Sequence, residues 1–146
     1  MSVLRDPLLF LAGQQQVRQL VSSMPVSAGI VRSYVPGETI EDAVRATREQ
    51  VAGGRRVTLD HLGEDTTTQA QAEATVAAYL DLLAALAAGG LARHAEVSVK
   101  LSAIGQALPH DGHEIALDHA RAICRAARSA GTTVTLDMED HTTTDD

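Results

Sequence analysis

The sequence has no tryptophan, one phenylalanine and two tyrosines in 146 residues, an aromatic share of 2%. It has a single cysteine, Cys124, so no intramolecular disulfide can form and nothing indicates an oxidising compartment. Basic excess is also missing. Twelve Lys and Arg against nineteen Asp and Glu give a net charge of −7, which argues against a nucleic-acid footprint and a polybasic membrane anchor. No run approaches the roughly 18 consecutive apolar residues of a membrane-spanning helix. The N-terminal run Leu8-Leu9-Phe10-Leu11, behind Asp6-Pro7, reads as too short for a signal segment. Neither G-x-G-x-x-G nor G-x-x-x-x-G-K-[ST] occurs, so no phosphate loop is expected. What is present is a 45% hydrophobic share with much alanine. It predicts one globular, cytoplasmic, helix-rich domain packed through small residues.

The first 55 residues read as a helical segment. Asp6-Pro7 resembles an N-cap with proline at the first helical position, opening a helix over 8–21. A shorter piece is expected over 28–34, followed by a turn at Pro36-Gly37. Thr39 with Asp42 resembles a capping box opening a helix through Val51, stopped at Gly53-Gly54. Residues 56–146 change rhythm. Strand-like runs over 57–62, 95–101 and 133–138 alternate with helices over 69–88 and from Asp111 to Ala130. The first of these helices is capped by the threonines at 66–68, the second by a capping box of Asp111 and Glu114. The order β-α-β-α-β predicts a parallel sheet with helical crossovers.

The three strand-like runs repeat one another. Val57-Thr58-Leu59-Asp60, Val97-Ser98-Val99-Lys100 and Val134-Thr135-Leu136-Asp137 each read β-branched, hydroxyl, aliphatic, charged. Alternation along a strand puts Thr58, Asp60, Ser98, Lys100, Thr135 and Asp137 on one face and the aliphatic residues on the other. Parallel strands of an open doubly wound sheet are usually apolar on both faces. A polar face with charges at the strand C-termini fits the interior of a (β/α)8 barrel near its mouth. A whole barrel takes about 250 residues. The expectation is therefore an α/β fold: a partial, TIM-like (β/α)8 barrel, truncated after its third strand, behind an N-terminal helical segment.

Asp60, Lys100 and Asp137 would converge on one pocket, where Lys100 attracts a carboxylate and an aspartate orients groups or manages a proton. The alternative is a space-filling Lys–Asp ion pair, which is expensive to bury and often replaceable. Met138-Glu139-Asp140-His141 adds two carboxylates and an imidazole. They allow a metal-dependent hydrolase reading on Asp137, Glu139 and His141, although no upstream His-x-His pair supports it and no metal is expected. His110, His113 and His119 read as solvated polar residues, and Cys124, at helical spacing among Leu117, Ala120, Ile123 and Ala127, as a small core hydrophobe.

These segments resemble bacterial proline dehydrogenase. The residues that carry the resemblance are Asp60-His61-Leu62-Gly63-Glu64, Ser98-Val99-Lys100-Leu101-Ser102-Ala103-Ile104-Gly105-Gln106 and Leu136-Asp137-Met138-Glu139-Asp140. The resemblance implies a distorted (β/α)8 barrel that binds FAD and oxidises L-proline to Δ1-pyrroline-5-carboxylate, the first step of proline breakdown to glutamate. It implies electron transfer to a quinone-type acceptor, and so a cytoplasmic protein peripheral to the inner membrane face. It gives Lys100 and Asp60 to the substrate, Lys100 to its carboxylate. It makes Asp137 the catalytic aspartate and puts Met138 against the flavin. The family's paired arginines lie on its last barrel helix, beyond residue 146, so an incomplete fragment without activity of its own is expected. A non-catalytic alternative is a domain that associates with itself through the open barrel edge.

Overall fold

The structure, a computed structural model of the chain, describes residues 37, 39–63 and 66–138. The helices expected over 8–21 and 28–34, and Glu64, Glu139, Asp140 and His141, lie outside the described residues. The first described helix, α1 (Ile40–Ala52), begins where expected. Thr39 Oγ1 accepts from the Asp42 amide at 3.2 Å, a cap whose loss typically costs about 1 kcal/mol. Strand β1 (Val57–Asp60) follows, then helix α2 (Gln69–Ala88). Its N-terminus is a full capping box: Thr68 Oγ1 accepts from the Gln71 amide and Gln71 Oε1 accepts from the Thr68 amide. Strand β2 (Ala95–Lys100), a 3₁₀ turn (Leu101–Ile104), helix α3 (Gly112–Ala130) and strand β3 (Val134–Asp137) complete the order.

The three strands form one parallel sheet in the order β1-β2-β3. Asp60 lies opposite Ser98, Ser98 opposite Thr135, and Lys100 opposite Asp137. The expected β-α-β-α-β order is therefore present, with strands one or two residues shorter than the apolar runs suggest. The aliphatic face meets the helices. Val97 and Val99 are fully buried against Tyr79, Leu83 and Leu86 of α2 and Ile123 and Ala127 of α3. Burial of each such aliphatic side chain contributes about 1.5–3 kcal/mol. Ile40, Val44 and Val51 of α1 pack against the same cluster.

Three local expectations are corrected. Asp111 does not form a capping box: it sits at φ 55, in the left-handed region, and makes no side-chain cap hydrogen bond. Cys124 is exposed rather than in the core. The buried stripe of α3 runs through Ala116, Ile123 and Ala127, and Cys124 is turned about 100° away from Ile123 by the helical step. His119 is not a solvated residue. Its Nδ1 donates to the Ile104 carbonyl at 2.8 Å, tying α3 to the turn that follows Lys100.

Candidate active site

Parallel strands end together, so a residue at the same place in each repeat arrives at the same rim. Asp60 ends β1, Lys100 ends β2 and Asp137 ends β3. Lys100 is 6% exposed, although lysine is among the residues least often buried unless paired. Its partner is Asp60, whose Oδ2 lies 3.3 Å from Lys100 Nζ and whose side chain is 32% exposed. Asp137 is half-buried and is the register partner of Lys100. Met138 follows at the rim, 41% exposed. The four residues expected to form a site thus occupy one strand-end rim. An ion pair joins two of them directly, Asp60 and Lys100.

A fifth residue enters from behind the sheet. Tyr79 of α2 is 1% exposed, and its ring packs in the apolar cluster. Its hydroxyl accepts from the His61 amide at 3.2 Å, donates to the Ser98 carbonyl at 2.6 Å and lies 3.3 Å from Asp60 Oδ1. Burial pushes the phenol up to about 12, with the neighbouring Asp60 carboxylate acting the same way and the His61 amide opposing both. The hydroxyl is therefore protonated, and a donor, at any physiological pH. Sequence reasoning did not single out Tyr79. A signal existed, because a tyrosine inside an apolar helical stripe must find a partner for its hydroxyl.

The opposite ends of the strands are differently built. Glu96, on the same sheet face as Lys100 by alternation, accepts from Thr58 Oγ1 at 3.1 Å and Thr133 Oγ1 at 2.8 Å. It lines a cavity of about 390 Å³ with Arg56, Arg93 and His94. This cavity is at the strand N-termini, away from Lys100, the end that in barrels concerns stability rather than chemistry. Among the described residues no cluster of three His, Cys, Asp or Glu side chains is placed to hold a metal ion. Among the described residues no helix is long and apolar enough to cross a membrane.

The rim can hold a carboxylate on the Lys100 ammonium and present the Asp137 carboxylate beside it. For a flavin the fit is partial. Met138 offers an exposed thioether next to Asp137, an apolar edge on which a flat ring can lie. Lys100 is the only lysine or arginine at the described C-terminal strand ends, so these residues supply no cradle for a diphosphate.

The family model described as proline dehydrogenase matches residues 43–145. The proline dehydrogenase of Deinococcus radiodurans is 33% identical over 141 residues, 97% of this chain and 44% of that relative. Proline dehydrogenase 1 of Bacillus subtilis strain 168 is 32% identical over 139 residues, 95% of this chain and 44% of that relative. The chain thus spans less than half the length of these curated relatives. The crystal structure of proline utilization A from Bdellovibrio bacteriovorus inactivated by N-propargylglycine aligns with a TM-score of 0.68. That alignment covers 79% of this chain and 14% of that one, at 23% identity. This likeness shows the fold, and with it the barrel-type arrangement expected from the strand repeat.

Proposed function

The chain belongs to the proline dehydrogenase family of oxidoreductases, and from that premise we propose that its strand-end rim is one side of a site that oxidises L-proline to Δ1-pyrroline-5-carboxylate. The observation that carries the reading is the Lys100 ammonium, held at the end of β2 at 6% exposure beside Asp60. In this reading residues 1–55 are a helical preface, and residues 56–146 are the first three strands and two helices of a larger barrel.

Lys100 binds the proline carboxylate as a point charge. Asp60 fixes the ammonium from the β1 side. Asp137, the catalytic carboxylate, faces the same substrate from β3 and orients its ring nitrogen. Met138 packs against the cofactor, FAD, whose family-wide role when bound is to accept hydride from the carbon next to that nitrogen. Holding the substrate by both ends places that carbon in reacting geometry, which is where most of such a site's effect on rate originates. Electrons then pass to a quinone-type acceptor, reached by a cytoplasmic protein at the inner membrane face. For residues 1–146 taken alone we propose self-association through β3. Among the described residues β3 pairs on one side only, and its Leu136 is 49% exposed.

The test is Lys100→Ala in the flavin-loaded full-length barrel that carries this segment. Removing a charged hydrogen-bond partner costs about 1.5–3 kcal/mol, so the KM for proline should rise roughly ten- to a hundredfold. The flavin absorbance should stay as it is. An unchanged KM in a folded variant would overturn the assignment.

A further inference from the structure

Tyr79 stands apart from the residues that meet substrate, yet it touches the group that holds Lys100. Its ring is anchored in the core at 1% exposure. Its oxygen is fixed by two backbone groups, the His61 amide at 3.2 Å and the Ser98 carbonyl at 2.6 Å. Neither can move without disturbing the end of the β1–β2 pairing, where Asp60 lies opposite Ser98. The hydroxyl is thus a fixed point next to a movable carboxylate. Asp60 divides its two oxygens between neighbours: Oδ1 lies 3.3 Å from the Tyr79 hydroxyl, and Oδ2 lies 3.3 Å from Lys100 Nζ.

We propose that Tyr79 is a positioning residue for substrate-carboxylate binding: by holding Asp60 Oδ1 it makes Asp60 pair with Lys100 through one oxygen instead of two. The inference rests on Lys100 being the carboxylate-binding residue. A carboxylate with both oxygens on an ammonium is a stronger competitor than one sharing a single oxygen. An incoming substrate carboxylate must draw Lys100 partly away from Asp60. As it does so, the phenol proton, shared between Ser98 O and Asp60 Oδ1, can shift towards Asp60 and compensate the carboxylate that Lys100 leaves. Without the hydroxyl, Asp60 turns both oxygens to Lys100 and has no other donor to take up its charge. Substrate then binds more weakly, while the reacting atoms, once bound, are placed as before.

The experiment is a double-mutant cycle of Tyr79→Phe and Asp60→Asn in the flavin-loaded full-length barrel. Two quantities are read: steady-state parameters for proline, and the equilibrium dissociation constant of 2-furoate, a ring carboxylate with no hydride to give. Tyr79→Phe should raise the KM and the 2-furoate Kd by about three- to tenfold, with kcat within about twofold. In the Asp60→Asn background, where the Tyr79 hydroxyl has no Asp60 carboxylate to hold, the same substitution should change neither constant by more than about 1.5-fold. Equal losses in both backgrounds would mean that Tyr79 acts through general packing, and would overturn the proposal, as would a fall in kcat alone. Lys100→Ala is run beside the cycle. If it leaves 2-furoate binding unchanged, the reading of Lys100 fails and takes this inference with it. If it weakens that binding while the cycle shows no coupling, only the role of Tyr79 is lost.

Discussion

The connection behind Lys100 offers the sharpest test of the packing. Gly112 is the first residue of α3, directly after the left-handed Asp111. A Cβ added at Gly112 would lie 2.5 Å from Gln106 O, 2.9 Å from Gly105 O and 3.1 Å from the Gln106 carbonyl carbon. All three are backbone atoms, in a turn closed by Gln106 N to Leu101 O and Leu108 N to Gly105 O, both at 3.1 Å. Relief needs most of an ångström of backbone movement, and overpacking of this kind typically costs about 1–3 kcal/mol. The gain in helix propensity from glycine to alanine, about 1 kcal/mol at most, offsets only part of it. We expect Gly112→Ala to lower stability by about 1–2 kcal/mol net. Gly53→Ala is the control. Its φ of −80 suits alanine, and the close neighbour, at 2.7 Å, is the end of the Arg55 side chain, which can swing aside. That variant should stay within about 0.5 kcal/mol of the parent. Equilibrium urea unfolding of both variants decides the matter. A Gly112→Ala midpoint equal to that of Gly53→Ala would show that the turn is not held as tightly as its contacts indicate.

Two further outcomes follow from the site. The phenol of Tyr79 is raised from its ordinary value of 10 to about 12, so between those values the unfolded chain has lost a proton that the folded chain keeps. Its contribution to stability is complete below about pH 10 and is lost as pH rises through about 12, by roughly 1.4 kcal/mol per unit of difference. Unfolding measured across alkaline pH should show this loss in the parent and not in Tyr79→Phe, and a parallel decline in both would refute it. A protein made of residues 1–146 alone should retain no FAD and turn over no proline, because three strands cannot bury most of a flavin ring. Size-exclusion chromatography with light scattering should find it self-associated; a monomeric, stoichiometrically yellow, active protein would contradict all three expectations.

The sheet and its crossovers were legible because two periodicities speak plainly here. Buried positions of α2 such as Ala72, Val76, Tyr79, Leu83 and Leu86 repeat at three and four, and glycines stop the helices, in pairs after α1 and α2 and singly, at Gly131, after α3. The repeat of hydroxyl and charge at alternate strand positions marks the polar face and matches the β2–β3 register, Ser98 with Thr135 and Lys100 with Asp137; between β1 and β2 the pairing is shifted by two residues, Asp60 meeting Ser98. What misled was local chemistry under tertiary control. Asp111 and Glu114 have the spacing of a capping box, but Asp111 sits in the left-handed region rather than in the extended conformation of an N-cap residue, and its side chain makes no cap hydrogen bond. Cys124 reads as core because it lies at helical spacing from Leu117, Ala120 and Ala127, but that stripe is not the buried one: Leu117 is 49% exposed, and the buried positions run through Ala116, Ile123 and Ala127.

The same distinction explains what was readable in the site. Asp60, Lys100 and Asp137 announce themselves because each occupies the same place in a repeat, and a parallel sheet turns equal positions into neighbours. Lys100 and Asp137 are 37 residues apart in sequence and opposite one another in the sheet. Tyr79 has no counterpart in the repeat, and its partners are a backbone amide, a backbone carbonyl and a carboxylate 19 residues away. By spacing it is one more apolar position of α2, and its ring is indeed core. Only the hydroxyl belongs to the site, and it gets there because β1 leaves its pairing with β2 one residue after Asp60, where the His61 amide meets the hydroxyl. The position of the phenol oxygen is therefore set jointly by helix packing and by the end of a strand. That joint dependence makes it informative: a change that shifts α2 along the sheet moves the hydroxyl against Asp60, and through Asp60 bears on Lys100, the residue proposed to hold the substrate carboxylate.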